Sequence, residues 1–201
     1  MTGATYTGVV APLLIDNINT DLIIRSCDIP PNASDDFGRH LFACWRNNSE
    51  IPFVLDRPEY QSARILLTGA NFGCGSSREA AVWALRDAGI QAILAPSFGA
   101  IFANNCVQHH IVPVVLPQEL IKKIAALLSA TRPTLTLTVE VVPSTVRLPD
   151  GRAFDFRLTG VHRVLLTTGR SGIDLIRNHR AAIADFQAHD RRRRPWLYSN
   201  V

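Results

Sequence analysis

The sequence predicts an α/β fold with a mostly parallel sheet, helices, and an antiparallel β part. Three observations carry this. Apolar runs at residues 64–68, 90–95 and 111–116 read as buried strands. Between them, residues 80–88 and 98–108 space their apolar side chains as helices do, which makes βαβ units and parallel pairing. From Leu135 the pattern changes to strict alternation, Leu135-Thr136-Leu137-Thr138-Val139, which reads as antiparallel structure with one buried face.

Taken in order, residues 7–12 form the first expected strand. Residues 15–24 mix apolar side chains with Asp16, Asn17, Asn19, Thr20 and Asp21, which predicts a polar loop running into a short strand or turn at Leu22-Ile23-Ile24. Residues 25–36 hold Pro30, Pro31, Asn32 and Ser34 and read as a loop long enough to be functional. A short helix is expected over 37–46, with Leu41 and Trp45 on one face and Asp35 or Asp36 as cap. Residues 52–64 form a second irregular connection. The helix over 80–88 shows Ala81, Ala84, Leu85 and Ala88 at helical spacing and is closed by Gly89. Ser97 is the expected cap of the helix over 98–108, and Pro113 sets the following strand at an edge or bulge. Leu120, Ile121, Ile124, Leu127 and Leu128 line one side of a helix over 119–128. Val146-Arg147-Leu148 and residues 153–158 flank a turn at Pro149-Asp150-Gly151. Helices follow over 161–168 and 173–186, separated by Gly169-Arg170-Ser171-Gly172. Residues 1–189 are expected as a single domain and 190–201 as a basic C-terminal tail.

A chain of 201 residues, 47% hydrophobic, is long enough to bury a sizeable core. No run approaches the length of a membrane span, and Met1-Thr2-Gly3-Ala4-Thr5-Tyr6 lacks the pattern of a signal peptide, so a cytoplasmic protein is expected. Arg191 to Arg194 account for the net charge of +4. No aromatic-interleaved basic face accompanies them, so nucleic acid is not expected as a partner. Cys27, Cys44, Cys74 and Cys106 are widely spaced, without the C-x-x-C spacing of a zinc or iron–sulfur site. Cys106 and His110, at i and i+4, are half a metal site at most, and no metal is expected on this chain.

Chemistry concentrates in Gly69-Ala70-Asn71-Phe72-Gly73-Cys74-Gly75-Ser76-Ser77-Arg78-Glu79, between a strand and a helix. A helix N-terminus carries unpaired N–H groups and partial positive charge. Gly73 and Gly75 allow close backbone approach, Ser76 and Ser77 add hydroxyls, and Arg78 adds a planar fork suited to a carboxylate. The lysine of a Walker loop is missing, and Arg78 stands where a dinucleotide fingerprint needs a third glycine. Ser76 to Glu79 is also an S-x-x-E capping box, which needs no ligand. Cys74 near a helix start is a candidate nucleophile, with His40, His109 or His110 as its base, but no hydrolase or transferase signature surrounds it.

The run from Asn71 to Glu79, followed by Ala-Val-Trp-Ala-Leu, resembles the signature of the small subunits of 3-isopropylmalate dehydratase, the counterpart of the swivelling domain of aconitase. Thr7-Gly8-Val9-Val10, Asn19-Thr20-Asp21, Gly38-Arg39-His40-Leu41-Phe42, Ala95-Pro96-Ser97-Phe98 and Ile101-Phe102-Ala103-Asn104-Asn105-Cys106 extend the resemblance. The resemblance implies a swivelling β/β/α domain and a hydro-lyase of leucine biosynthesis. It implies a large partner subunit carrying a [4Fe-4S] cluster, and a small dicarboxylic hydroxy acid as substrate. Ser76 matches the family's general base. Ser77 and Arg78 match residues that bind substrate carboxylates, and Gly75 and Asn71 shape or line that site. Arg25, Ser26, Cys27 and Asp28 fall on the substrate-discriminating loop. The chain departs from the family pattern at Asn19, Arg25, Ala80 and His109-His110. Arg25 and Ala80 motivate an alternative, a related dehydratase for citramalate or a methylated malate. An anion- or nucleic-acid-binding protein without catalysis is the reading from another class.

Overall fold

Strand β1 (Thr5–Leu13) is the seam of a seven-stranded sheet. On one side it pairs in parallel with β2 (Ala63–Thr68), and on the other antiparallel with a strand we number β5 (Thr136–Glu140). From β2 the parallel half continues through β3 (Ala92–Ala95) to the edge strand β4 (Val112–Val115). From β5 the antiparallel half continues through β6 (Thr145–Arg147) to β7 (Ala153–Asp155). The computed structural model describes residues 4–32, 36–46, 53–75, 78–130 and 134–198.

The two halves follow from the two sequence patterns. Ile65, Leu66, Leu67, Ile93 and Leu94 are fully buried, because a parallel strand covered on both faces needs an unbroken apolar run. In β5, Leu137 and Val139 are buried while Thr136 is exposed, as one covered face requires. Pro113 sits in β4, where an edge tolerates its missing N–H. Helix α3 (Glu79–Asp87) joins β2 to β3, α4 (Ala100–Gln108) joins β3 to β4, and α5 (Gln118–Ala130) follows β4. Ile121, Ile124 and Leu128 are the buried row of α5, which packs on β1, β2 and β3. Among the described residues no helix is long and apolar enough to cross a membrane.

Short elements differ from expectation, each for a local reason. Residues 14–19 are the expected polar loop, but in place of the short strand or turn expected at Leu22-Ile23-Ile24 a helix ends. Asn19 Oδ1 accepts the Leu22 N–H at 2.9 Å and starts a one-turn helix, α1 (Thr20–Ile23). The helix expected over 37–46 is broken. A 3₁₀ turn (Phe37–His40) capped by Asp36 is separated from α2 (Ala43–Arg46) by Phe42 at φ 54°, whose N–H donates to Ile23 O at 2.8 Å. Phe37 packs edge-on against Trp83 of α3 at 5.2 Å, so this segment belongs to the core. The alternative cap Asp35, Ser34 of the preceding loop and Pro52 lie outside the described residues. Ser97 caps no helix, since α4 opens at Ala100 after Gly99.

The chain divides into two compact units, 1–168 and 169–201. The first ends with α6 (Gly160–Thr168). In the second, Ser171 and Asp174 form a capping box on α7 (Gly172–Arg177). A break at Asn178 and His179 precedes α8 (Arg180–Arg193), so the expected single helix is two, and Arg191 to Arg193 are the last turn of α8 rather than part of a tail. The chain then folds back. Asp190 accepts from Arg194 Nε at 2.7 Å and from Tyr198 Oη at 2.8 Å, across a 3₁₀ turn (Pro195–Leu197).

The hydrogen bond from Tyr198, with that from Arg194, holds the Asp190 carboxyl below the usual carboxylate range. A depressed folded pKa gives stability that is complete above the unfolded value, about 3.9, and is lost as pH falls through the lower folded value. Amide exchange followed from pH 6 downward should show Leu197 and Tyr198 protected above about pH 4 and released below it. Asp190→Asn should remove that acid transition. Release already complete at neutral pH would contradict the clasp.

Candidate functional site

The loop that leaves β2 continues the sheet between the loops that leave β1 and β3. Gly73 N–H donates to Ile18 O at 2.7 Å, Thr20 N–H to Cys74 O at 3.2 Å, and Asn17 N–H to Ala70 O at 2.8 Å. On the other side, Phe72 N–H donates to Ser97 O at 3.1 Å and Gly99 N–H to Phe72 O at 2.9 Å. Asn19 with Cys74 and Phe72 with Phe98 form parallel bridges. The glycine loop therefore lies at the carboxyl ends of three neighbouring parallel strands, where open α/β sheets bind ligands.

Side chains complete the frame. Asp16 Oδ1 accepts the Ala70 N–H at 2.6 Å, Ser97 Oγ accepts the Asn71 N–H at 2.9 Å, and Asn71 Nδ2 donates to Asn17 Oδ1 at 2.9 Å. Asn17 and Asn71 both take the left-handed conformation, which asparagine tolerates better than other side chains. Gly73, at φ 70°, has a different purpose from the expected approach of a ligand. A Cβ there would lie 2.1 Å from the Phe102 ring of α4, so glycine is required by packing. At Gly75, φ 86°, the nearest heavy atom to such a Cβ is 3.6 Å away, so Gly75 is held to glycine by its conformation alone.

Arg78 is the N-cap of α3, in an extended conformation. Its Nη1 lies 2.7 Å from Asp21 Oδ2 and 3.2 Å from Thr20 Oγ1. Both contacts use Nη1. The Nε–Nη2 edge, the fork that matches a carboxylate, makes no hydrogen bond among the described residues. Glu79 is the first helical residue rather than the third, so it is not the far arm of a capping box. Its Oε1 lies instead 2.6 Å from His109 Nε2, which is also 3.1 Å from Trp83 Nε1. Cys74 lies well before the start of α3 and is half-buried, bridged to Asn19, so a helix terminus does not activate it as a nucleophile. Ser76 and Ser77 lie outside the described residues.

The second candidate stretch starts one residue beyond α1. Ser26, Cys27 and Asp28 form a 3₁₀ turn, and Arg25 grips Asp28 with both Nε and Nη2, at 2.6 and 3.0 Å. That hydrogen bond lowers the Asp28 pKa, and the Arg25 charge adds to it. Asp28 and Cys27 line a cavity of about 580 Å³ whose apolar wall is Ile29, Pro30 and Pro31. Arg39 and His40 also line it, with Arg39 paired to Asp36 at 3.0 Å. Both arginines of this region are thus already matched by carboxylates.

Cys106 is buried in α4, and burial pushes its thiol up out of the titrating range. Among the described residues no three His, Cys, Asp or Glu side chains converge on a point that could hold a metal ion. Sequence reasoning missed Asp16 and Ser97 as anchors of the loop. Their only signal is a short polar side chain at a strand's end, and many turns share it.

Comparison with known proteins gives consistent results. The aconitase C-terminal domain family matches residues 4–119. The chain is 45% identical over 199 residues to a 3-isopropylmalate dehydratase small subunit of Cupriavidus necator, covering 96% of each chain. It is 42% identical over 196 residues to the protein of the same name from Parvibaculum lavamentivorans, covering 95% of this chain and 96% of that one. A crystal structure of 3-isopropylmalate dehydratase LeuD from Methanocaldococcus jannaschii superposes with a TM-score of 0.64 at 20% identity, over 90% of this chain and 99% of that one, and so shares the fold.

Gly73→Ala should cost about 2–4 kcal/mol in urea unfolding, since it adds a left-handed penalty to a clash with an aromatic ring. Gly75→Ala, which meets no clash, should cost about 1 kcal/mol. Equal costs at the two positions would contradict the packing argument.

Proposed function

The chain belongs to the 3-isopropylmalate dehydratase small-subunit family, and from that premise we propose that it is one half of a hydro-lyase that interconverts 2-isopropylmalate and 3-isopropylmalate in leucine biosynthesis. The other half is a large subunit. Dehydration removes a hydroxyl from one carbon and a proton from its neighbour, and rehydration returns them exchanged. The observation that carries the reading is the anchored Arg78 guanidinium, its free fork at the carboxyl end of the parallel strands.

In this account Arg78 holds a substrate carboxylate through Nε and Nη2, and Ser77 and Gly75 also contribute to binding the substrate. Asp21 and Thr20 keep the fork in place, and Asn71 maintains the loop. Ser76 is the general base that takes the carbon-bound proton. A serine serves as base only when its alkoxide is stabilised, and the Arg78 charge together with the N-terminus of α3 favours that form. The residues of this chain do not fit an iron–sulfur cluster, since its cysteines are not gathered and no trio of ligating side chains meets among the described residues. We therefore assign the [4Fe-4S] centre, the Lewis acid toward the hydroxyl, to the large subunit. The four free cysteines suit a reducing, cytoplasmic setting.

Substrate choice is assigned to Arg25, Ser26, Cys27 and Asp28. Two things support a branched alkyl group as what this loop admits. The cavity wall of Ile29, Pro30 and Pro31 is apolar, and the Arg25–Asp28 and Arg39–Asp36 pairs leave neither arginine committed to a further carboxylate.

The test is isopropylmalate turnover by this chain mixed without oxygen with a cluster-loaded large subunit from its own source. Turnover should need both chains, and Ser76→Ala should lower kcat by about 10²–10⁴. Asp21→Asn, which loosens the anchor on Arg78 Nη1 and so the orientation of the fork, should lower kcat/KM about ten- to hundredfold. A clear preference for citramalate over isopropylmalate would overturn the substrate assignment.

A further inference from the structure

Helix α4 meets the run from Gly69 to Glu79 at two places. Near its start, the Phe102 ring packs where Gly73 lacks a Cβ, and stands edge-on to Phe72 at 5.4 Å. At its end, His109 Nε2 lies 2.6 Å from Glu79 Oε1. Phe102 and His109 stand at i and i+7, so they share one face of the helix and its cap. The proposed base Ser76 and the Arg78 fork fall, in sequence, between these two contacts.

The backbone that carries the imidazole is tied to the core. His109 closes α4, its N–H donating to Asn105 O and Cys106 O at 3.1 Å each. His110, at φ 62°, then turns the chain so that Ile111 N–H reaches Cys106 O at 2.8 Å. Cys106, Val107 and Ile111 are buried. The first turn of α3 is less well supported. No side-chain hydrogen bond caps it at Arg78, and helix ends without such partners fray. Among the described residues, two polar side-chain contacts hold this end: Arg78 on Asp21 and Thr20, and Glu79 on His109.

One ring nitrogen here meets two groups. Trp83, one turn after Glu79 on α3, points its indole N–H at the same Nε2 from 3.1 Å, with the two rings edge to face. An indole nitrogen only donates and a carboxylate only accepts, so Nε2 serves one of them at a time. The Glu79 contact is the shorter, and a hydrogen bond to a charged group is roughly twice as strong as a neutral one. The Nε2 proton therefore goes to Glu79. Trp83, itself braced by Phe37 at 5.2 Å, is the wall that aims the imidazole. The Glu79 side chain is 53% exposed, and an ion pair so open to water adds little to global stability. Its effect is on where α3 begins.

We propose that His109 is a positioning residue: through Glu79 it fixes the start of α3, and with it the direction of the Arg78 fork. This deepens the dehydratase reading and rests on it for its substrate. His109→Ala, His109→Gln, Glu79→Ala and the double alanine variant are compared with wild type in the complex with the cluster-loaded large subunit. Arg78 grips a carboxylate present in ground state and transition state alike, so His109→Ala should raise KM for isopropylmalate about five- to tenfold and leave kcat within about twofold. Loss of folded protein would instead lower kcat and leave KM unchanged. His109→Gln, whose amide can donate to Glu79 and accept from Trp83 at once, should return KM to within about twofold of wild type. Glu79→Ala should match His109→Ala, and the double variant should be no worse than either. The Ala81 N–H, which donates to Arg78 O at 3.1 Å, reports on the same turn without substrate. Its exchange should quicken about five- to tenfold in the alanine variants and recover in His109→Gln. A KM in His109→Ala within about twofold of wild type would overturn the proposal. So would an equal rise in His109→Gln, or unchanged exchange at Ala81. If wild type turns over no isopropylmalate while Ala81 exchange follows this order, the tether stands and the dehydratase reading falls.

Discussion

The glycine loop is held because its backbone finds hydrogen-bond partners on both sides, in the loops that leave β1 and β3. A buried or half-buried peptide group that lacks a partner costs roughly 1–3 kcal/mol, so a loop this rich in left-handed residues persists only where each amide is satisfied. Ile18, Ala70, Cys74, Phe72 and Ser97 supply carbonyls for that purpose. Asp16 and Ser97 add side-chain oxygens where the backbone has none to offer. The sheet thereby extends past its own strands, and the glycine loop from Ala70 to Cys74 becomes part of the scaffold.

From that scaffold follows the electrostatic arrangement. Helix α1 exists because Asn19 caps it, and it presents Thr20 and Asp21 to Arg78. Two partners on one nitrogen fix the plane of the guanidinium and leave its outer fork for an anion. Directly after α1 comes the Arg25 to Asp28 turn. One helical turn, roughly 6 Å of rise, therefore connects the group that would hold the common carboxylate to the stretch that would judge the variable side chain. The proposed division of labour between subunits gives this chain orientation and a base, and a partner the Lewis acid.

Much of the fold was legible in the sequence, and the reasons are physical. Strands buried on both faces need unbroken apolar runs, so residues 64–68 and 90–95 announced β2 and β3. The alternation beginning at Leu135 announced the antiparallel half. What stayed hidden depends on contacts distant in sequence. Phe42 breaks a helix in order to reach Ile23, and Ser97 leaves its expected helix cap to hold Asn71. In the candidate site, the charge of Arg78 and the glycine content of the loop are local features, so the sequence points to them directly. The role of Asp21 was not legible, because nothing in Asn19-Thr20-Asp21 states that it meets residue 78. Gly73 was noticed for the wrong reason, since only the fold reveals Phe102 beneath it.

The central claim is that Asp21 acts through Arg78, by holding its fork for a carboxylate. A double-mutant cycle tests it most directly, with kcat/KM for isopropylmalate measured in the reconstituted complex for Asp21→Asn, Arg78→Ala and the pair. The account predicts strong coupling: once Arg78 is gone, Asp21→Asn should change kcat/KM by less than about twofold. Fully additive losses would mean that Asp21 acts independently of Arg78, and the arrangement described here would not be the one that binds substrate.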